Sequence, residues 1–247
     1  MKEWITGRNP VMEVLQAKRR QVFRLMLASG VEERGRILEM QIIASQRRIP
    51  VEKVAREKID RLGENPQGVA AEVSGYPYVD LSDIIELAGS RGEELFVLAL
   101  DLIQNPQNLG TLVRSAEAAG VHGVIIPQHR AAEVTPAVVS ASAGASEHML
   151  IAAGNINRQI EQLKEAGAWV VGLAGEEGTT PLGKVPLTGP LVVVVGNEGE
   201  GIRSLVRQSC DFLLSLPMRG HIESLNAAVA GSIILYQVLM ARQSIIE

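Results

Sequence analysis

Five side chains in three short stretches are of types that do chemistry: Asn108 and Arg114 in NPQNLGTLVRSAEAAG, Glu198 in LVVVVGNEGEGI, and Ser224 and Asn226 in IESLNAAVAG. In the first stretch Asn108 is placed to cap a helix starting near Thr111, and Gly110 allows a close backbone approach. Arg114 falls in the first turns, where the helix dipole favours an anion. That combination suits a phosphate; taken alone, the two residues are more commonly a plain cap and a surface ion-pair partner. In the second stretch an apolar strand ends at Gly196, and three glycines in six residues let the backbone fold tightly around a ligand. Their order, G-x-x-G-x-G, is not the dinucleotide fingerprint G-x-G-x-x-G, and the carboxylate of Glu198 argues for a hydroxyl, an amine or a cation rather than a phosphate. A glycine-rich turn carrying a solvated acid is the plain alternative. In the third stretch Ser224 reads as the helix N-cap with Asn226 in the first turn, which explains the serine better than the asparagine. Gly231, in mid-helix, is worth about 1 kcal/mol less than alanine there, so something must pack closely against it, within the subunit or across a dimer interface.

The elements that must position these residues follow from the hydrophobic pattern. From ELFVLALDLI onward, apolar runs (VLALDLI, GVIIP, MLIAA, WVVGLAG, LVVVVG, DFLLSLPM) alternate with helical stretches (TLVRSAEAAG, TPAVVSASAG, INRQIEQLKEAG, IRSLVRQS and the final helix). Continuous apolar strands alternating with helices predict an α/β fold, a mostly parallel sheet with helices on both faces. Ligands of such sheets sit beyond the carboxyl ends of the strands, which is where LALDLI, LVVVV and FLLSLPM deliver the three stretches. Residues 1–75 read as a separate small α/β domain, with helices in NPVMEVLQAK and ERGRILEMQIIASQRR and strands in VFRLMLAS, IPVEKV and QGVAAEVS. Residues 76–93 read as the connection, and 94–247 as the second domain.

Composition narrows the function. With 46% apolar residues and 3% aromatics, the chain of 247 residues is globular and lacks material for a broad base-stacking platform. Cys210 stands alone, so no intramolecular disulfide is possible, and four scattered histidines show no metal-ligand spacing. No metal is expected. No apolar run follows the first basic residues, and AAVAGSIILYQVLMA is shorter than the roughly 18 residues of a spanning helix, so a cytoplasmic location away from membranes is expected. The net charge of −4 hides an asymmetry. Residues 1–75 hold 14 Lys and Arg against 10 Asp and Glu, and residues 76–247 hold 10 against 18. A polyanion-facing surface therefore belongs to the first domain, with AKRRQVFR and SQRRIPVEKVAREK as its basic clusters or, as plainly, as solvated helix faces.

Taken in order, NLGTLVR, GNEGEG and LPMRGHIESLN resemble the Asn-x-Gly-x-x-x-Arg, Gly-Asn-Glu-x-x-Gly and Leu-Pro-Met... Ser-Leu-Asn motifs of the SpoU, or TrmH-like, branch of the SPOUT methyltransferases, over roughly residues 95–243. The resemblance implies a SPOUT fold whose C-terminal segment makes a trefoil knot, S-adenosylmethionine as cofactor, and a homodimer that completes each active site. By position it implies cofactor contacts from Ala174, Gly196, Leu216 and Leu225. It implies a catalytic group of Asn108, Arg114, Glu198, Ser224 and Asn226 that methylates a ribose 2′-oxygen of RNA. ITGRNPVMEVLQ and NPQGVAAEV resemble the RNA substrate-binding domain of RlmB-type enzymes, implying a guanosine of 23S ribosomal RNA as the target. Pro66 departs from the histidine that many relatives carry before QG. Transfer RNA is the alternative substrate. A Rossmann-type oxidoreductase, the reading from another class, is opposed by the glycine order, and an RNA-binding protein without catalysis by the intact polar motifs.

Overall fold

The computed structural model describes residues 2–175, 179–197, 199–221 and 224–243. In chain order the first elements are β1 (Lys2–Thr6), α1 (Arg8–Ala17), β2 (Val22–Ala28), α2 (Arg36–Gln46), β3 (Val51–Val54), α3 (Arg56–Asp60) and β4 (Val69–Ser74). They are followed by α4 (Leu81–Arg91), β5 (Phe96–Asp101), α5 (Pro106–Ala118), β6 (Gly123–Pro127), α6 (Pro136–Ala141), β7 (Leu150–Gly154) and α7 (Ile156–Glu165). The last are β8 (Trp169–Leu173), β9 (Thr180–Pro181), β10 (Leu191–Gly196), α8 (Ser204–Gln208), β11 (Phe212–Ser215) and α9 (Ala227–Gln243). The chain divides into two compact units, Met1–Pro77 with Glu133–His148, and Tyr78–Ala132 with Met149–Glu247.

The first unit is built on a mixed sheet of order β1-β4-β2-β3, in which β4 runs against both β1 and β2 while β3 runs with β2. Val11, Val14 and Leu15 of α1 and Ile37 and Met40 of α2 are buried, as the apolar spacing of both helices requires. β1 and α3 were not expected; β1 is recruited by pairing with β4, 64 or more residues away. The basic run AKRRQVFR does not face outward as a whole. The Arg20 side chain is fully buried, 2.8 Å from Glu3 and 2.9 Å from Glu147, and Arg24 pairs with Glu72 and Glu52. Arg20 is therefore structural, because a guanidinium in an apolar interior must be matched by carboxylates. Burial pushes the Glu147 carboxyl above its ordinary range, against the pull of Arg20. Tyr76 donates its hydroxyl proton to the Ser146 carbonyl at 3.1 Å, so the stretch after α6 is held by a second polar anchor.

The second unit carries a sheet of order β7-β6-β5-β10-β8-β11-β9, and every pair in it is parallel. β10, LVVVVG, is buried along its whole length, which is why it reads as an unbroken apolar run. On one face Leu81 and Ile84 of α4, Ile160 and Leu163 of α7 and Val206 of α8 cover Val97, Val192 and Val194. On the other, α5 and α9 pack together and α9 lies against β10. Gly231 explains itself at that seam: a Cβ there would stand 2.5 Å from Leu112 Cδ2 and 3.1 Å from Val195 Cγ2. The close approach is thus made inside the subunit, by side chains of α5 and β10. One turn further the hydroxyls of Ser115 and Ser232 meet at 2.7 Å. The end of α9 is pinned by Arg242, which donates to the carbonyls of Glu94, Leu95 and Gly189 and lies 4.7 Å from the Phe96 ring centre.

Candidate active site

At the end of β5 the chain turns through Leu102, whose φ of 60° is unusual for a branched side chain. Asn105 then caps α5, accepting from the Gln107 amide at 2.8 Å, and Pro106 takes the first helical position. The expected cap, Asn108, is instead inside the first turn, and the helix begins five residues before Thr111. Arg114 consequently lies in the third turn, beyond the reach of the N-terminal dipole, so the phosphate argument built on that dipole does not hold. The third stretch is corrected in the same way. α9 starts at Ala227, and Asn226 rather than Ser224 caps it, its Oδ1 accepting from the amides of Ala228 at 2.9 Å and Val229 at 3.2 Å. The other end of that amide, Nδ2, donates to Asn108 Oδ1 at 3.3 Å, joining two residues 118 positions apart.

The glycine-rich loop follows β10. A Cβ on Gly196 would overlap the backbone of Gly201 and Ile202, so no other residue fits there without moving the loop. Asn197 and Gly201 exchange backbone hydrogen bonds of 3.1 and 2.9 Å, and Asn197 Oδ1 accepts from the Gly199 amide at 2.7 Å. Glu198 lies outside the described residues. The loop's far end is held by Asp101, the last residue of β5 and the register partner of Gly196. Asp101 is fully buried and accepts from Arg203 N and Nε, both at 2.8 Å, with Arg203 Nη2 at 2.6 Å. Sequence reasoning missed this pair; an acid closing an otherwise apolar strand was the available signal.

β10, β8 and β11 are neighbours, and beyond their carboxyl ends lies a cleft of about 280 Å³. Ala174, Gly196, Leu216 and Leu225 all line it, as does Ser224. Leu173, Met218 and Ala230 add apolar wall, and Glu200 and Arg207 stand on its border. Asn226 sits between two lining residues, Leu225 and Ala227, so the Asn108–Asn226 bond adjoins the cleft. Arg114 does not line it. Six residues past Asn108, it is turned by about 240° around the helix and is exposed on another side of α5. Burial pushes the Cys210 thiol up to about 12, which keeps it a neutral thiol rather than a nucleophile at neutral pH. Among the described residues no group of three His, Cys, Asp or Glu could hold a metal, and no helix is long and apolar enough to cross a membrane.

Residues 95–236 match the SpoU rRNA methylase family. The chain belongs to that family, and with it to the RNA methyltransferases. Residues 4–79 match the RNA 2′-O ribose methyltransferase substrate-binding family. The YacO protein of Bacillus subtilis, named as a TrmH-family tRNA/rRNA methyltransferase, is 38% identical over 99% of this chain and 98% of its own length. Among solved structures, the SpoU methyltransferase AviRb of Streptomyces viridochromogenes in complex with AdoMet superposes with a TM-score of 0.80 at 26% identity, over 100% of this chain and 92% of that one. An AdoMet-bound rRNA methyltransferase of Sinorhizobium meliloti gives 0.79 at 25% identity, over 96% and 86%.

Proposed function

We propose that the enzyme transfers a methyl group from S-adenosylmethionine to a ribose 2′-oxygen of RNA, on a guanosine of 23S ribosomal RNA, in the cytoplasm and as a homodimer. The observation that carries this reading is the single cleft in which the backbone of the glycine loop, the apolar walls of Leu173, Leu216 and Leu225, and the Asn108–Asn226 pair adjoin. Apolar side chains suit the faces of a purine, and peptide groups at strand ends suit its polar edges, so the residues present fit S-adenosylmethionine. Bound there, it supplies an electrophilic methyl group on a sulfonium.

The chain's own residues hold the acceptor. Asn108 and Asn226, already oriented by each other and by the start of α9, position the ribose with Ser224, and Glu198 orients one of these donors. Arg114 stabilises the alkoxide character that develops on the 2′-oxygen; a guanidinium keeps its proton too firmly to serve as a simple base. Its exposure, turned away from Asn108, supports a site completed by a second protomer. The surface for that protomer is the stripe of Val229, Ile233, Tyr236 and Met240, 38 to 57% exposed on the side of α9 opposite Gly231. A knot in the C-terminal segment is supported by the path from β11, on the far side of β8, back to α9 beside β10 and α5. Ribosomal rather than transfer RNA is favoured by the first unit, with its excess of basic residues, and by the coverage of the Sinorhizobium meliloti rRNA methyltransferase across both units.

The test is incubation with labelled S-adenosylmethionine and, separately, unmodified 23S ribosomal RNA and transfer RNA, followed by mapping of the label. Label on one 23S guanosine is expected, and a 2′-deoxy substitution at that position should abolish it. Methylation that survives the deoxy substitution would place the chemistry on the base, and label confined to transfer RNA would overturn the substrate assignment.

A further inference from the structure

The first unit contains a larger cleft, of about 470 Å³, whose position follows from the sheet. β1 and β2 both run against β4, and β3 runs with β2, so the carboxyl ends of β1, β2 and β3 share one edge with the start of β4. Each strand delivers a cleft-lining residue there: Arg8 after β1, Ser29 and Gly30 after β2, Arg56 after β3, and Gln67 before β4. That edge is where α/β sheets bind ligands, and here it is armed with two guanidinium groups.

The cationic character is not cancelled from within. Among the described residues Arg56 has only a loose partner, Asp60 at 3.8 Å, with its own side chain 70% exposed. Arg8, which lines the cleft, uses Nε to reach the Gln67 carbonyl at 3.4 Å, and its terminal nitrogens make no hydrogen bond among the described residues. The one acid on the lining, Glu32, is exposed and pairs at 2.7 Å with an equally exposed Arg34, so it offsets the cleft's cations only weakly. Gln67 is fixed in the left-handed region at φ 52°, where a non-glycine residue is uncommon, by the Arg8 amide donating to its Oε1 at 3.1 Å. The NH₂ end of that side chain makes no hydrogen bond among the described residues. Val31 and Ala28 add an apolar wall, and Gly30 leaves open floor, since a Cβ there would meet nothing within 4 Å.

We propose that this cleft takes one unpaired nucleotide of the substrate RNA, other than the nucleotide that is methylated. Arg8 and Arg56 hold its flanking phosphates, Val31 and Ala28 take a face of the base, and the Gln67 amide reaches its polar edge. Cations with an apolar wall and a side-chain amide suit a splayed single-stranded nucleotide better than a duplex, whose base edges are occupied. The inference rests on the reading of the enzyme as an RNA methyltransferase and deepens it by separating anchoring from chemistry.

The experiment compares the full-length wild type, Arg56→Ala and Arg8→Ala/Arg56→Ala in binding unmodified 23S ribosomal RNA at several salt concentrations. Losing two phosphate contacts should lower the slope of log K against log salt by about 1.4 to 1.8, and the single variant by about half of that. Affinity at fixed salt should fall at least about tenfold in the double variant, while S-adenosylmethionine affinity and the unfolding midpoint stay at wild-type values. Arg56→Ala alters an exposed side chain, so it guards against an effect of misfolding. Equal slopes and affinities in all three proteins overturn the proposal and leave the methyl-transfer reading intact. A wild type that methylates no RNA, yet binds it with the expected differences, overturns that reading and leaves the cleft as an RNA site.

Discussion

Asp101 offers a way to perturb the glycine loop, and with it the proposed cofactor site, without touching the residues that line the cleft. Replacing it with asparagine keeps the volume but removes the charge and points an NH₂ group at Arg203, whose N, Nε and Nη2 all face the carboxylate within 2.8 Å. A hydrogen bond to a charged group contributes about 1.5 to 3 kcal/mol, so losing one of them and setting donor against donor costs about 2 to 4 kcal/mol. Arg203→Ala is the harsher change, because it leaves a fully buried carboxylate with only a backbone amide; about 3 to 5 kcal/mol is expected for such a break. The Arg203 side chain is 43% exposed, so water reaching Asp101 reduces that figure toward its lower end. β5 and β10 are held by the core on both faces, so the loss falls on the loop 197–203 more than on the sheet. The dissociation constant for S-adenosylmethionine should rise by about 30-fold for Asp101→Asn, the equivalent of 2 kcal/mol, and more for Arg203→Ala. Calorimetric titration measures this, and thermal unfolding separates local from global loss. The double variant should fall short of the sum of the two singles by about 1.5 kcal/mol or more. Cofactor affinity within twofold of wild type for Asp101→Asn would show that the loop is organised by something else.

Gly231→Ala sets a gain of about 1 kcal/mol in helix propensity against crowding of Leu112 and Val195, worth about 1 to 3 kcal/mol, so urea unfolding should show net destabilisation of up to about 2 kcal/mol. A stabilised variant would mean that Leu112 moves aside freely. Burial holds the Tyr76 hydroxyl up to about 12, although Arg19 pulls the other way. A raised folded-state value means that this contribution is complete below the unfolded value of about 10 and is lost as pH rises toward 12, for a total of about 2 to 3 kcal/mol. Tyr76→Phe should therefore lose less stability than wild type between pH 10 and pH 12 in denaturant titrations; parallel curves would refute the assignment.

Six of the seven strands of the second unit were legible because the central ones are buried on both faces, which writes them as uninterrupted runs such as LVVVVG and FVLALD, whereas β9, two part-exposed residues, carries no such run. Helix starts were less so. Asn105-Pro106 is a cap followed by proline at the first helical position, a signal present in the sequence but outweighed by the attraction of Asn108 to a functional role. Between Ser224 and Asn226, cap preference alone could not choose, since both types rank high. What lay beyond sequence reasoning were contacts set by the tertiary fold: Arg20 among basic neighbours yet buried against Glu147, and Asp101 gripping Arg203, partners 127 and 102 positions apart. The grouping of Ala174, Gly196, Leu216 and Leu225 came from the motif resemblance, because no periodicity brings residues from three separate connections to one cleft.

The fold ties the wall of the cleft and the Asn108–Asn226 pair into one mechanical piece. Leu225 and Ala227 line the cleft, Asn226 lies between them and caps α9, and Asn108 reaches it from α5. α5 and α9 are in turn locked by the Ser115–Ser232 contact and by the insertion of Leu112 against Gly231. A shift of α9 along this seam therefore moves the wall of the cleft and the amide beside it together, whereas the glycine loop is anchored separately, through Asp101, to β5. Two supports of different origin thus define the cleft, a helix seam and a strand-end ion pair. Damage to the seam should disturb cofactor and acceptor geometry jointly, while damage to the ion pair should weaken the cofactor first.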